Sequence, residues 1–232
     1  MEIYWLLGIP LTGGTFLGLW GSRKNAPEIN AFFSFLTLLA AAFLTYRIVD
    51  QGPMIVGEGW FFIDSFNVFL VALTAFVAFT TALFSRPYMR IEKEHGKLND
   101  KRLRLYHSSY QIFIGAMFLA LTTNNMGILW VAMEAATLAT VLLVSLYRTP
   151  ASLEAAWKYF ILGSVGIALA LFGTILVYMA ARPVIGEGLE AMVWTVLLAH
   201  AAKFDPALLN VAFVFLLLGY GTKVGLAPLH AW

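Results

Sequence analysis

The chain has 232 residues, of which 60% are hydrophobic and 12% charged, with a formal net charge of +2. A soluble domain carries about 25% charged residues, and a single soluble core has no use for apolar residues gathered into blocks of about 20, the length that spans a bilayer. The composition excludes a soluble globular domain, and the absence of cysteine excludes disulfides, iron–sulfur ligation and thiolate chemistry within the chain.

The hydropathy pattern predicts an all-α fold, a polytopic membrane helix bundle of about seven transmembrane helices with a broken seventh. Spans are expected near Ile3–Trp20, Asn30–Val49, Phe66–Phe84, Tyr106–Thr123, Met126–Leu146, Trp157–Ala181 and Leu208–Ala227. Each is apolar on nearly all sides, as lipid-embedded helices are. The first lacks the basic start and small-residue cleavage site of a signal peptide and is expected to stay in the protein. After the second, the run PMIVGEGWFFI (53–63) predicts a hairpin turning at Gly57-Glu58-Gly59. The basic stretch from Arg86 to Arg104 reads as a loop that is solvated or touches lipid headgroups. Past the sixth helix, Leu189, Met192, Val193, Val196 and Leu197 recur at helical spacing and predict a short helix in the interface or against the bundle. Two parts are expected: 1–105, with helices one to three, the hairpin and the basic loop, and 106–232, with helices four to seven.

Lys and Arg in the connections set the expected orientation. An outer N-terminus places Arg23, Lys24, Arg86, Arg90, Lys93, Lys97, Lys101, Arg102, Arg104 and Arg148 inside, and only Arg47, Arg182 and Lys203 outside. That bias predicts a multi-pass protein of the cytoplasmic membrane with its N-terminus outside. His95, His107, His200 and His230 show no close metal-ligand spacing, and no phosphate-cradling loop is present. Neither a metal nor a cofactor is expected, nor a catalytic redox centre, nor a nucleic-acid partner.

Two ionisable residues lie deep in apolar sequence: Glu134 in WVAMEAATLATVLL and Lys223 in LLLGYGTKVGLAPLHAW. A charge at the centre of a lipid-facing helix costs roughly 2.5–3.5 kcal/mol, so such residues face protein or water and carry function. Thr137 lies on nearly the same face as Glu134, three residues on. Pro228 and Gly225 are expected to break the seventh helix beside the lysine and free backbone carbonyls there. Opposite charge predicts that Glu134 and Lys223 face one another, directly or through water. The plainer alternatives are a neutral glutamic acid acting as interhelical glue and a lysine that snorkels to the headgroups. His230 reads as a proton relay or a boundary histidine, and Lys158 as a helix-end partner of Glu154 or a further member of a proton path. Asp64 reads as a helix N-cap, with support of an ion site as the other reading, and Thr149-Pro150 as the start of the sixth helix. His107, Asn124 and Asn125, at the ends of the fourth helix, are accounted for by capping and interface hydrogen bonds.

Taken together, NNMGILWVAMEAATLATVLL, SLEAAWKYFILGS and GYGTKVGLAPLHAW resemble the antiporter-like membrane subunits of the complex I superfamily. That group includes the F component of hydrogenase-4, related proteins of respiratory complex I and Mrp-type antiporters. The resemblance implies that Glu134 and Lys223 correspond to the fifth-helix glutamate and the broken-helix lysine of a charged, hydrated path through the membrane. It implies partnership with other membrane subunits of a hydrogenase or quinone-oxidoreductase complex, in which redox chemistry drives protons, or sodium. Cation/proton antiport, inorganic-carbon uptake and a non-conducting structural role are the alternatives. Family members have about 14 helices in two inverted repeats, so the chain is expected to be an N-terminal half: a fragment, or one part of a split protein.

Overall fold

A computed structural model describes residues 2–227. It contains eight α-helices and one two-stranded hairpin: α1 (Glu2–Trp20), α2 (Ala26–Gln51), β1 (Met54–Val56), β2 (Phe61–Ile63), α3 (Ser65–Glu94), α4 (Asp100–Thr122), α5 (Met126–Val144), α6 (Pro150–Ile185), α7 (Trp194–His200) and α8 (Pro206–Val224). The seventh span predicted from sequence is α8, because the short α7 precedes it. Pro228 and His230 lie outside the described residues.

Local chemistry places most helix starts. Asp64 caps α3, accepting from the Phe66 and Asn67 amides, while the Asn67 side chain accepts in return from the Asp64 amide, so two orphan donors are met at once. Thr149 caps α6 ahead of Pro150, Asn125 caps α5, and Asp205 caps α8 ahead of Pro206. β1 and β2 pair antiparallel with Met54 opposite Ile63. Their turn needs positive φ at three successive residues, and Gly57 and Gly59 supply two of them around Glu58.

Six helices are long and apolar enough to cross a membrane: α1, α2, α3, α5 with the turn that follows it, α6 and α8. The fourth expected span fails that test, because the first half of α4 carries Arg102, Arg104, His107, Ser108, Ser109 and Gln111. Helix α4 instead holds the centre of the bundle, against α1, α2, α3 and α5, so neighbouring helices rather than lipid cover its polar face. Gln111 is fully buried and donates through Nε2 to the Asn30 carbonyl, Asn30 Oδ1 and Ser34 Oγ on α2. Ser108 donates to the Gly14 carbonyl on α1 at 2.8 Å.

The basic loop expected from Arg86 to Arg104 is largely helical. Helix α3 runs through Pro87 to Glu94 and α4 begins at Asp100. Arg, Lys and Glu are strong helix formers, so charge ends the membrane-embedded part of a helix without ending the helix. At 30 residues and about 1.5 Å per residue, α3 outruns the hydrocarbon layer.

The connections gather at two ends. At one, Asn124 ties three segments together: its amide donates to the Trp60 carbonyl at 2.8 Å, and its carbonyl accepts from Trp194 at 2.6 Å. Its side-chain Nδ2 donates to Gly59 O and Thr195 Oγ1, both at 2.9 Å, and its Oδ1 accepts from the Thr195 amide. Isolated bridges pair Phe61 with Thr123 and Asn125 with Val193. At the other end, Met89, Leu98, Leu103, Tyr106 and Leu146 form a small apolar cluster. Arg90 pairs there with Glu28, and Lys93 with Asp100 at 2.5 Å.

Helices α6 and α8 make the most extensive helix pair. Glycines remove the Cβ atoms that would hold them apart: at Gly219 a Cβ would lie 2.5 Å from the Ala170 amide nitrogen and 2.7 Å from the Gly166 carbonyl oxygen. At Gly173 it would lie 2.8 Å from Leu216 Cγ and 3.0 Å from the Ala212 carbonyl oxygen. In lipid, where the hydrophobic effect does not drive helices together, such close contact is the main source of association.

Two outcomes are expected in detergent thermal-unfolding measurements. Gly219→Ala strikes backbone and lowers stability by about 1–3 kcal/mol, whereas Gly8→Ala, with open space around its Cβ, leaves stability unchanged or raises it by up to about 1 kcal/mol. Asn124→Ala strands buried donors and acceptors and costs on the order of 1–3 kcal/mol, more than Thr195→Ala, which removes one partner. A Gly219→Ala protein as stable as the parent would refute the close-packed seam.

Candidate functional site

The ionisable pair lies where α5, α6 and α8 converge. Glu134 and Thr137 project from one face of α5, and Lys223 comes from the last turn of α8. Lys223 Nζ donates to Thr137 Oγ1, and the Thr137 hydroxyl donates in turn to the Met133 carbonyl at 2.8 Å. Thr137 is buried, while Glu134 and Lys223 are half-buried.

Among the described residues Glu134 and Lys223 form no direct ion pair, because the ammonium goes to the threonine one helical turn from the carboxylate. The two charges nevertheless lie within electrostatic reach of each other. Glu134 Oε2 is buried and has no hydrogen-bond partner among the described residues. The expected face-to-face relation is therefore a triad of Glu134, Thr137 and Lys223, with the hydroxyl as the direct contact of the lysine.

Helix α6 supplies the space that the lysine fills. A Cβ at Gly163 would lie 3.2 Å from both Lys223 Nζ and Thr137 Cγ2, and one at Gly166 would run into the Thr222 side chain. Thr222 is itself buried and donates to the Gly219 carbonyl at 2.7 Å. Two further contacts brace α5 against α6: Trp130 Nε1 donates to the Ile167 carbonyl at 2.7 Å, and the hydroxyls of Thr140 and Tyr159 meet at 3.0 Å. Sequence reasoning missed Gly163, Gly166, Trp130 and Tyr159. The glycines at 163 and 166 were the available signal, since small residues in an apolar helix mark close approach.

Helix α8 ends at Val224, immediately after the lysine. Gly225 adopts a left-handed conformation, and the amides of Gly225 and Leu226 both return to the Gly221 carbonyl at 3.0 Å. The end of α8 beside Lys223 is thus made by Gly225, and the expected part of Pro228 lies outside the described residues.

The remaining candidates among the described residues, Lys158, Glu154 and Asp64, make other contacts. Lys158 Nζ meets Glu154 Oε1 at 2.5 Å one turn away on α6, with both side chains mostly exposed. Asp64 is spent on the cap of α3 at the Asn124 end. No group of three or more metal-ligating side chains occurs among the described residues.

The family described as NADH:quinone oxidoreductase/Mrp antiporter, TM, matches residues 123–232. A hydrogenase-4 component F homolog of Methylacidiphilum infernorum (isolate V4) is 51% identical over 96% of this chain and 46% of its own length. NADH-quinone oxidoreductase subunit N of Francisella tularensis subsp. holarctica is 31% identical over 100% of this chain and 46% of its own length. The chain therefore spans about half the length of the curated relatives it matches. Its fold is shared with a chain of the archaeal membrane-bound sulfane sulfur reductase complex (TM-score 0.85, 22% identity, covering 100% of this chain and 47% of that one). It is also shared with a chain of respiratory complex I from Thermus thermophilus (TM-score 0.74, 18% identity, covering 100% and 46%). Residues 123–232, which hold Glu134, Thr137 and Lys223, are thus similar to the NADH:quinone oxidoreductase/Mrp antiporter membrane family, and the chain as a whole to hydrogenase-4 component F and NADH-quinone oxidoreductase subunit N.

Proposed function

We propose that the chain translocates protons as a membrane component of a redox-driven complex of the hydrogenase-4 or NADH-quinone oxidoreductase kind, using Glu134 and Lys223 as the exchanging groups. The observation that carries this reading is the placement of a lysine ammonium on a threonine hydroxyl between helices, one turn from a carboxylate with an unpartnered buried oxygen. A structural salt bridge would bring the two charges into contact; this arrangement leaves each able to gain or lose a proton. Opposite charges close together stabilise each other's ionised forms, and a change in their separation shifts where a proton rests. An electrostatic or conformational signal from a neighbouring protein of the complex then has a group on which to act. Thr137 accepts from the lysine and donates to the Met133 carbonyl, which suits it to hold the amine in place. The likeness to hydrogenase-4 component F and to the NADH-quinone oxidoreductase relative supports membrane subunits of such complexes as the partners.

The test uses the complete assembly in membrane vesicles with its redox partner active. Glu134→Gln and Lys223→Ala are each expected to bring proton translocation close to background while membrane insertion stays normal. The double variant should fall little below either single one, because both changes disable one unit. Thr137→Val should weaken translocation less than either. Normal pumping in both single variants would leave these charges only a structural part.

We further propose that the protein lies in the cytoplasmic membrane with the Asn124 end outside and the Arg23–Arg90 end inside, following the asymmetry of Lys and Arg. Single cysteines at Ser22, Lys101 and Glu187, all exposed, test this with an impermeant thiol reagent on intact cells. Labelling is expected at 187 alone; labelling at 22 and 101 with none at 187 would invert the orientation.

A further inference from the structure

At the end opposite Asn124, the α1–α2 connection, the end of α3 and the start of α4 enclose a cavity of about 540 Å³. Arg23, Lys24, Arg90 and Lys93 stand around it, against the single carboxylate of Glu94, with Met89 and Leu103 as an apolar wall. Arg90 is paired with Glu28 and Lys93 with Asp100, while Arg23 and Lys24 are exposed and have no ion pair among the described residues. His107, on α4, also lines the cavity. It is 1% exposed, and neither ring nitrogen has a hydrogen-bond partner among the described residues. The N-terminus of α2 opens at the same place, with no side chain capping its first turn and with Asn25 and Ala26 in the cavity wall.

We propose that this cavity is a binding site for the phosphate group of an anionic phospholipid. A buried imidazole with both nitrogens unmatched costs stability unless something hydrogen-bonds to it, and the N-terminus of α2 adds a positive dipole end. Two unpaired cations at the rim set the sign of the occupant. The cavity lies at the level where such a headgroup resides: the exposed aromatics Trp20 and Tyr88 stand beside it in the sequence, and aromatic side chains of this kind mark the membrane–water boundary. Met89 and Leu103 provide apolar surface for the glycerol and upper acyl region, which free phosphate does not require. In this arrangement Arg23 and Lys24 meet the phosphate charge and His107 donates one hydrogen bond from below. The bound headgroup joins the α1–α2 connection to α3 and α4.

The experiment uses purified, delipidated protein, native mass spectrometry and three probes: phosphatidylglycerol, phosphatidylcholine and inorganic phosphate, the last read by thermal stabilisation. Wild-type protein should retain phosphatidylglycerol about tenfold more strongly than phosphatidylcholine. Arg23→Gln/Lys24→Gln, which alters only exposed side chains, should abolish that preference. His107→Leu should weaken retention, and His107→Gln, which keeps a donor, should recover part of it. Stabilisation by inorganic phosphate that depends on Arg23 and Lys24, without preference for phosphatidylglycerol, would assign the site to a free anion and overturn the lipid. Equal retention of both lipids, or an undiminished preference in Arg23→Gln/Lys24→Gln, with no phosphate effect, overturns the site altogether.

Discussion

The close approach of α6 and α8 governs what the rest of the site can be. Glycine at 166, 173 and 219 lets the two backbones meet, and that contact fixes the height and rotation of α8 against α5. From there Lys223 reaches the gap kept open by Gly163, where Thr137 receives it. A side chain of even one carbon at Gly163 would crowd the amine and the threonine methyl together. Packing of small residues, which carries no charge of its own, thus decides the position of the charge.

The two ends of the bundle are organised by different forces. At the Asn124 end, hydrogen bonds dominate: one buried side chain and its backbone serve the hairpin, the α4–α5 link and the start of α7. At the other end, ion pairs and a small apolar cluster join helices that continue past the hydrocarbon layer. Hydrogen bonds between buried partners resist salt, whereas exposed ion pairs are screened. High salt should therefore loosen the basic end first, leaving the hairpin end intact.

Much of the fold was legible because its determinants are local. Apolar length marked six spans, and Asp64 and Thr149-Pro150 announced helix starts through chemistry confined to a few residues. Helix α4 was harder, since its first turns carry Lys101, Arg102 and Arg104, and charged residues that form helix well look like a loop when read by hydropathy. The stapling function of Asn124 was not legible at all: its side-chain partners lie 65 and 71 residues away, so nothing near it in sequence distinguishes a staple from a cap. Glu134 and Lys223 stood out by sign against an apolar background. Their relation through Thr137 did not, because the choice of a hydroxyl over the carboxylate is set by the α6–α8 contact.

The early end of α8 has a further effect on the lysine. Lys223 occupies the last turn, where the aligned peptide dipoles leave a partial negative charge on the terminal carbonyls. The helix itself therefore meets part of the ammonium's charge, worth about 0.3–1 kcal/mol in the usual case. The dipole end thus gives the amine a fixed partner that stays in place however its contact with Thr137 changes.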